Sequence, residues 1–474
     1  MVALAHTPFG PVRGTERQHD GARVLHFGGV PYARAARFGL PEPCEWTDEL
    51  DATRPGAAPP QTIGGLDLVP GMAPDRQSED CLTAEIFSPD LGGAAPVLVW
   101  VPGGSYRIGG AGLATYDGAA LTSAGSDAGS EGGVVVVGLN YRLGALGWLG
   151  LEGVPTNLGL RDLRAALDWV RVVAPSFGGD PERIVVMGES AGSGMLAHAL
   201  ATGDLPVAGA ILQSGAPAGT LDTDAVAWVA EQFLDAAGAA DVEGLRRLSV
   251  DALLAAQEAT VATALPKVGM MPFHPWIDGD LLTGPAHTSA FPAIPLVVGT
   301  TAHEMELFRD QVPQLPEEHA LGFLDMKALT LGIADPEAVH AAFLAGGSDL
   351  VESVADLELH VPNEMLARAH EARGNPVYRY RFTWEAPVKR ACHALDLPFT
   401  FGTLDVSTWR EFAGAQGANA AAADALSGRM RAAWARFATT GAPWNGTELV
   451  QFGPADGSGP DAVSERVDLW IGAK

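Results

Sequence analysis

The feature that most constrains this chain is a short apolar run, Arg183-Ile-Val-Val-Met-Gly188, which meets Gly188-Glu-Ser-Ala-Gly192 and leads directly into an Ala- and Leu-rich stretch ending at Ala201. Consecutive apolar residues suit a strand covered on both faces, and the stretch after Ser190 suits a helix. A strand that turns into a helix at a serine strains that serine's backbone, so residues two before and two after it must be small. Gly188 and Gly192 meet that need. The helix start then aims amide groups and a positive dipole end at the place where negative charge develops during acyl transfer.

A strand covered on both faces needs strands beside it and helices above and below. Val97–Val101 and Val134–Asn140 supply two more buried-strand patterns, and Ala208–Gln213, Ile294–Gly299 and Pro376–Phe382 supply others. A helix is expected from Asn157, as its N-terminal signal, to about Val173, with Leu160, Leu163, Ala166, Leu167 and Val170 on one face. Mainly helical segments are expected at about 222–265 and 315–372, and strand signals resume after each. Strands alternating with helices give the α/β class, organised as a single catalytic domain over 1–474 with helical insertions at about 218–290 and 305–372. Ser123–Gly133, rich in Gly and Ser, is expected to be a surface loop.

Composition excludes several classes. With 47% hydrophobic and 18% charged residues the chain has material for a large core. Its 57 Asp+Glu against 30 Lys+Arg give a formal charge of -27, which repels nucleic acid and anionic membrane surfaces. Three cysteines, Cys44, Cys81 and Cys392, form neither a disulfide framework nor a zinc pattern. The N-terminus lacks a secretory pattern and no run nears the roughly 18 apolar residues of a membrane span, so a cytoplasmic location is expected.

A serine nucleophile needs a base to take its proton and a carboxylate to orient that base. Twelve histidines compete. His198 lies eight residues along the same helix, about 12 Å of rise away, and cannot serve. His6, His19 and His26 are expected to precede the sheet. His274, His287, His319, His340, His360 and His370 have no supporting motif and are read as surface or structural.

Landmarks in order along almost the whole chain resemble the type-B carboxylesterase and cholinesterase family of α/β-hydrolases. They are Phe27-Gly-Gly-Val-Pro-Tyr-Ala33, Arg37-Phe38, Ser78-Glu-Asp-Cys-Leu82, Asn140-Tyr-Arg-Leu-Gly144, Asn157-Leu-Gly-Leu-Arg-Asp162, Phe177-Gly-Gly-Asp-Pro181, Gly188-Glu-Ser-Ala-Gly192 and Gln213-Ser-Gly215. The resemblance implies an α/β-hydrolase fold, a central mostly parallel twisted sheet flanked by helices, with insertions shaping a gorge. It implies a serine carboxylesterase working through an acyl-enzyme on a small-molecule ester, with no metal or cofactor.

Residue by residue, the resemblance makes Ser190 the nucleophile and His393, in Ala391–Gly402, the base. Glu304, in the loop after Val297-Val-Gly-Thr-Thr301, becomes the acid, with Glu306 and Asp310 as rivals; Met305 stands where relatives carry glycine. His303, next to that acid, cannot easily face both partners. The oxyanion hole falls to the amides of Gly104, Ser105 and Ala191, although Pro102 and Ser105 replace residues of the family's His-Gly-Gly-Gly. Arg37 with Glu79 and Arg142 with Asp162 match structural salt bridges, and Cys81 lacks its usual partner because Pro55–Gln61 holds no cysteine. Cys392 reads as a buried thiol beside the base, and Gly109–Gly112 lacks a phosphate-binding context.

Cholinesterases hold a quaternary ammonium with aromatic residues where this chain has Gly71 and Leu307, so choline esters are disfavoured. Gly269 and Met271, where acetyl-selective relatives carry two phenylalanines, imply an acyl pocket wide enough for butanoyl or larger groups. The same chemistry on a carbamate, amide or thioester stays open, as does a non-catalytic binding protein, against which intact Ser190, Glu304 and His393 argue. The rate is expected to rise as His393 becomes neutral near about pH 6–7.

Overall fold

The computed structural model describes residues 2–63, 69–124, 133–269, 271–454 and 457–472. Its strands are β1 (Val2–Thr7), β2 (Gly10–His19), β3 (Ala22–Pro31), β4 (Leu50–Asp51), β5 (Thr83–Ser88), β6 (Ala95–Val101), β7 (Val135–Leu139), β8 (Gly179–Glu189), β9 (Gly209–Gln213), β10 (Leu296–Thr301), β11 (Val377–Phe382), β12 (Val450–Phe452) and β13 (Gly457–Ser458). They form one sheet in the order β1-β2-β3-β5-β7-β6-β8-β9-β10-β11-β12-β13, with β4 beside β2. Pairing is antiparallel from β1 to β7 and parallel from β7 to β12. This is the mostly parallel, helix-covered sheet of an α/β-hydrolase.

Consecutive apolar residues in the central strands feed two separate cores. Val97, Val99 and Val101 of β6 pack on one face with Leu160, Leu163, Leu167 and Val170 of the helix Leu158–Val173. Leu98 and Trp100 point the other way, into a core with Leu426, Met430, Trp434 and Phe437 of the helix Ala420–Thr440. Every one of these positions is buried, which is why the central strands carry no polar alternation. Among the described residues no helix is long and apolar enough to cross a membrane.

The helical insertions leave the sheet after β9 and after β10. The first contains Thr223–Ala237, Val242–Arg246 and Val250–Val268, and the second runs from Glu317–Thr330 to Val361–Glu371. Two expectations need correction. Asn157 does sit at the N-cap of Leu158–Val173, but with φ 50° and no capping bond. Its amide instead clasps Trp276, donating to that residue's carbonyl at 2.9 Å and accepting its N–H at 3.1 Å. The backbone of the first insertion is what needed this side chain. His6, His19 and His26 do not precede the sheet; they lie on β1, β2 and β3. Of the expected Ser123–Gly133 loop, 125–132 lie outside the described residues.

Candidate active site

β8 delivers Ser190 at the C-terminal end of a central parallel strand, and the helix Ala191–Ala201 begins at the next residue. Ser190 has φ 55° and ψ -124°, a conformation that a non-glycine residue adopts only under constraint. The constraint is visible on both sides. Its N–H donates to Gln213 O on β9 at 2.9 Å, and a Cβ on Gly192 would come within 2.0 Å of Val101 O. The spacing read from the sequence is therefore a packing requirement.

His393 comes from the loop after β11 and Glu304 from the loop after β10. His393 Nε2 lies 2.7 Å from Ser190 Oγ, and its Nδ1 lies 2.6 Å from Glu304 Oε2. Glu304 Oε1 accepts the Thr301 N–H at 2.8 Å. The acid and base loops are also stitched together through their backbones: His303 N–H donates to Ala391 O at 2.9 Å, and His393 N–H donates to Glu304 O at 3.1 Å. His303 turns its ring away, with Nδ1 2.7 Å from Glu352 Oε1. Glu306 is occupied by Arg309, which leaves Glu304 alone of the candidate acids against the imidazole.

The electrostatics of this group are set by burial and by three carboxyls. Burial opposes charge on His393, but Glu189 and Glu304 outweigh it and raise the imidazole to about 9. Burial would raise Glu304, yet the charge and hydrogen bond of His393 hold it below its usual value. Glu189, beside the nucleophile, is fully enclosed with Oε1 3.2 Å from His393 Nε2, and burial drives its carboxyl up to about 8. Asp396 is pushed up to about 6, first by burial and then by Glu304. The sequence expectation of a base titrating near pH 6–7 did not include Glu189, whose approach to His393 exists only in the folded chain.

The loop after β6 faces the serine. Its Gly103 lies so close that a Cβ there would be 2.7 Å from Glu189 O and 3.0 Å from Ser190 Cβ. Gly104, Ser105 and Tyr106 follow with φ of 113°, 54° and 57°. The amide groups of Gly104, Ser105 and Ala191 donate to no other group among the described residues. Three donors at one end of the turn are thus left for an incoming oxygen. The loop is held by Tyr141 Oη, which donates to Pro102 O at 2.9 Å, and by Gly144 N–H, which donates to Tyr106 O at 2.7 Å. A further clasp was not singled out from the sequence: the buried Gln61 amide donates to Gly109 O at 2.8 Å and accepts Gly109 N–H at 2.9 Å. The two residues are 48 apart, and no local pattern announces their meeting.

The model of the carboxylesterase family matches residues 2–332 and 341–463. The chain belongs to the carboxylesterase family. It is 35% identical to the para-nitrobenzyl esterase of Bacillus subtilis (strain 168), covering 95% of this chain and 92% of that one. It is 32% identical to the fumonisin B1 esterase of Sphingopyxis macrogoltabida, over 96% of this chain and 87% of that one. A solved PNB esterase superposes with a TM-score of 0.84 at 32% identity, covering 98% and 99% of the two chains. This carboxylesterase is a carboxylic ester hydrolase.

Further residues of the carboxylesterase assigned from the sequence lie outside the relay of Ser190, His393 and Glu304. Arg142 grips the fully buried Asp162 with two bonds, of 2.8 and 2.6 Å, and reaches Gly39 O at 2.7 Å. Arg37 grips Glu79 and reaches carbonyls of the first insertion, including Leu248 O at 2.5 Å. Gly269 is exposed at the C-cap of Val250–Val268, with no atom within 4 Å of where a Cβ would sit. Met271 is half-buried against the first core, and Leu307 is buried in the second. Cys44, Cys81 and Cys392 are all free and buried.

Proposed function

We propose that this protein is a cytoplasmic serine carboxylesterase that hydrolyses small-molecule esters through an acyl-enzyme, with 1–474 acting as one catalytic unit. The observation that carries the reading is the continuous relay of Ser190 Oγ, His393 and Glu304, with contacts of 2.7 and 2.6 Å. His393 Nε2 takes the Ser190 proton as Oγ attacks the ester carbonyl, and Glu304 supports the imidazolium through Nδ1–H. The Gly104, Ser105 and Ala191 amides receive the developing oxyanion, each typically worth about 2.7–4 kcal/mol in the transition state. The imidazolium protonates the leaving alcohol; a water, deprotonated by the same nitrogen, then releases the acid. Three buried free thiols support a reducing compartment.

The test is the initial rate on p-nitrophenyl butanoate for the purified protein beside Ser190→Ala. The variant is expected to lose several orders of magnitude of kcat; equal rates in both would remove Ser190 from the mechanism. Gly269 and Met271, in place of two phenylalanines of acetyl-selective relatives, support an acyl group of butanoyl size or larger. Butanoyl and hexanoyl esters are expected to be cleaved at least as fast as acetyl esters, and a strong acetyl preference would refute that.

A further inference from the structure

Arg107 sits two residues beyond Ser105, in the turn that carries the candidate oxyanion donors, and its N–H closes that turn on Gly104 O at 3.0 Å. Tyr106 before it is buried against Trp148, with ring centroids 5.0 Å apart. Arg107 instead crosses to the first insertion, where its Nη2 donates to Glu258 Oε2 at 2.7 Å.

That pair differs from the chain's bidentate arginine clamps. Arg142 on Asp162, Arg164 on Asp204 and Arg379 on Glu371 each make two parallel bonds to one carboxylate. Arg107 makes one. Its Nε and the second oxygen of Glu258 are both buried without a partner, and its Nη1 makes no hydrogen bond among the described residues. A guanidinium anchored at one corner, with another corner unused, is a donor fork available to a carboxylate. Gly104, Ser105, Arg107, Ile108 and Ser190 are each partly open to solvent, and the loop that carries the first four approaches the serine at Gly103. The enclosed carboxyls of Glu189 and Glu304 lie against His393, so an anionic ester at Ser190 gains from a cation on the facing loop.

We propose that Arg107 is a specificity-determining residue that recognises a free carboxylate on the ester, so that the substrates of this enzyme include half-esters of dicarboxylic acids or esters of hydroxy acids. This rests on the esterase reading above. Glu258 holds the guanidinium in place, and Nη1 meets the carboxylate.

The experiment has a binding arm and a turnover arm. Ser190→Ala is titrated calorimetrically with monomethyl adipate, whose carboxylate is on the acyl side, with 4-acetoxybutanoate, whose carboxylate is on the alcohol side, and with neutral methyl hexanoate. Adding Arg107→Gln is expected to weaken at least one anionic ester about tenfold relative to the neutral one, and Arg107→Lys to restore part of that loss. The arm that responds tells which side of the ester carries the charge. In the turnover arm, the ratio of kcat/KM for the responding anionic ester to that for methyl hexanoate falls about tenfold in Arg107→Gln. The proposal is overturned if neither anionic ester binds, if the ratio moves by less than about twofold, or if charged and neutral esters lose equally, as a mere brace between loop and insertion would make them. An enzyme that turns over no ester would defeat the esterase reading alone, because the titration still decides Arg107.

Discussion

At the scale of single residues, the chemistry depends on whether His393 is neutral. Glu189 and Glu304 raise its imidazole to about 9 against the pull of burial, which favours the imidazolium. Because only the free base accepts the Ser190 proton, kcat/KM rises with pH and keeps rising through about pH 8–9 rather than levelling near 7. Glu189→Gln removes the carboxyl beside Nε2 while keeping its size. The rising limb is expected to move down by about one pH unit, measured with p-nitrophenyl butanoate after subtracting spontaneous hydrolysis. An unmoved limb would mean that Glu189 stays neutral throughout and has no charge to withdraw. Ser190 was legible from its neighbours, because the glycine spacing is a local steric requirement. His393 and Glu304 were legible only through the family's motifs. The Glu189 contact was not legible at all, since residues 204 positions apart meet only when β8 and the His393 loop converge in the fold.

At the scale of elements, the loop proposed to hold the oxyanion donors is braced by a buried amide. Gln61 offers Gly109 both a donor and an acceptor, in the way a neighbouring strand would, and so fixes the far end of the turn that starts at Pro102. Gln61→Ala leaves the Gly109 N–H and C=O without these partners, at a stability cost of about 1–3 kcal/mol. The amide donors of Gly104 and Ser105 then lose definition. Because such donors act mainly in the transition state, kcat is expected to fall about tenfold or more with KM little changed. A variant that raises KM alone would show that Gln61 shapes the substrate's path rather than the hole. The same scale explains which strands were readable. β6, β7, β9 and β10 are buried on every residue because both faces are covered, whereas β1 alternates between exposed and buried positions and β2 carries mostly half-open polar residues. Strands of the second kind give a weak signal, and the sequence analysis did not name them. The helix Ala420–Thr440 carries a clear helical stripe at Leu426, Met430, Trp434 and Phe437 and forms the roof of the second core.

At the scale of the whole molecule, the proposed catalytic group stands on connections between distant parts of the chain. Arg142 leaves the end of β7, grips Asp162 in the helix Leu158–Val173, and holds Gly39 of the N-terminal region. The sequence analysis read this pair as structural through the resemblance alone; its third partner, Gly39, follows only from the fold. Asp162 is fully enclosed and Arg142 nearly so, which separates this pair from the surface bridges Arg171–Glu182 and Arg246–Glu243. Exposed pairs contribute about 0–1 kcal/mol, but removing one partner of a buried pair strands the other charge away from water. Asp162→Asn is therefore expected to cost about 3–5 kcal/mol, read as a lower denaturant midpoint in urea. Glu182→Gln should change the midpoint by less than about a third of that shift. Since Asp162 does not contact Ser190, Glu304 or His393, folded Asp162→Asn protein should keep the wild-type pH limb even where its yield falls. A shifted limb would show instead that the buried pair reaches into the electrostatics of the site, which would make the frame and the catalytic group one electrostatic unit.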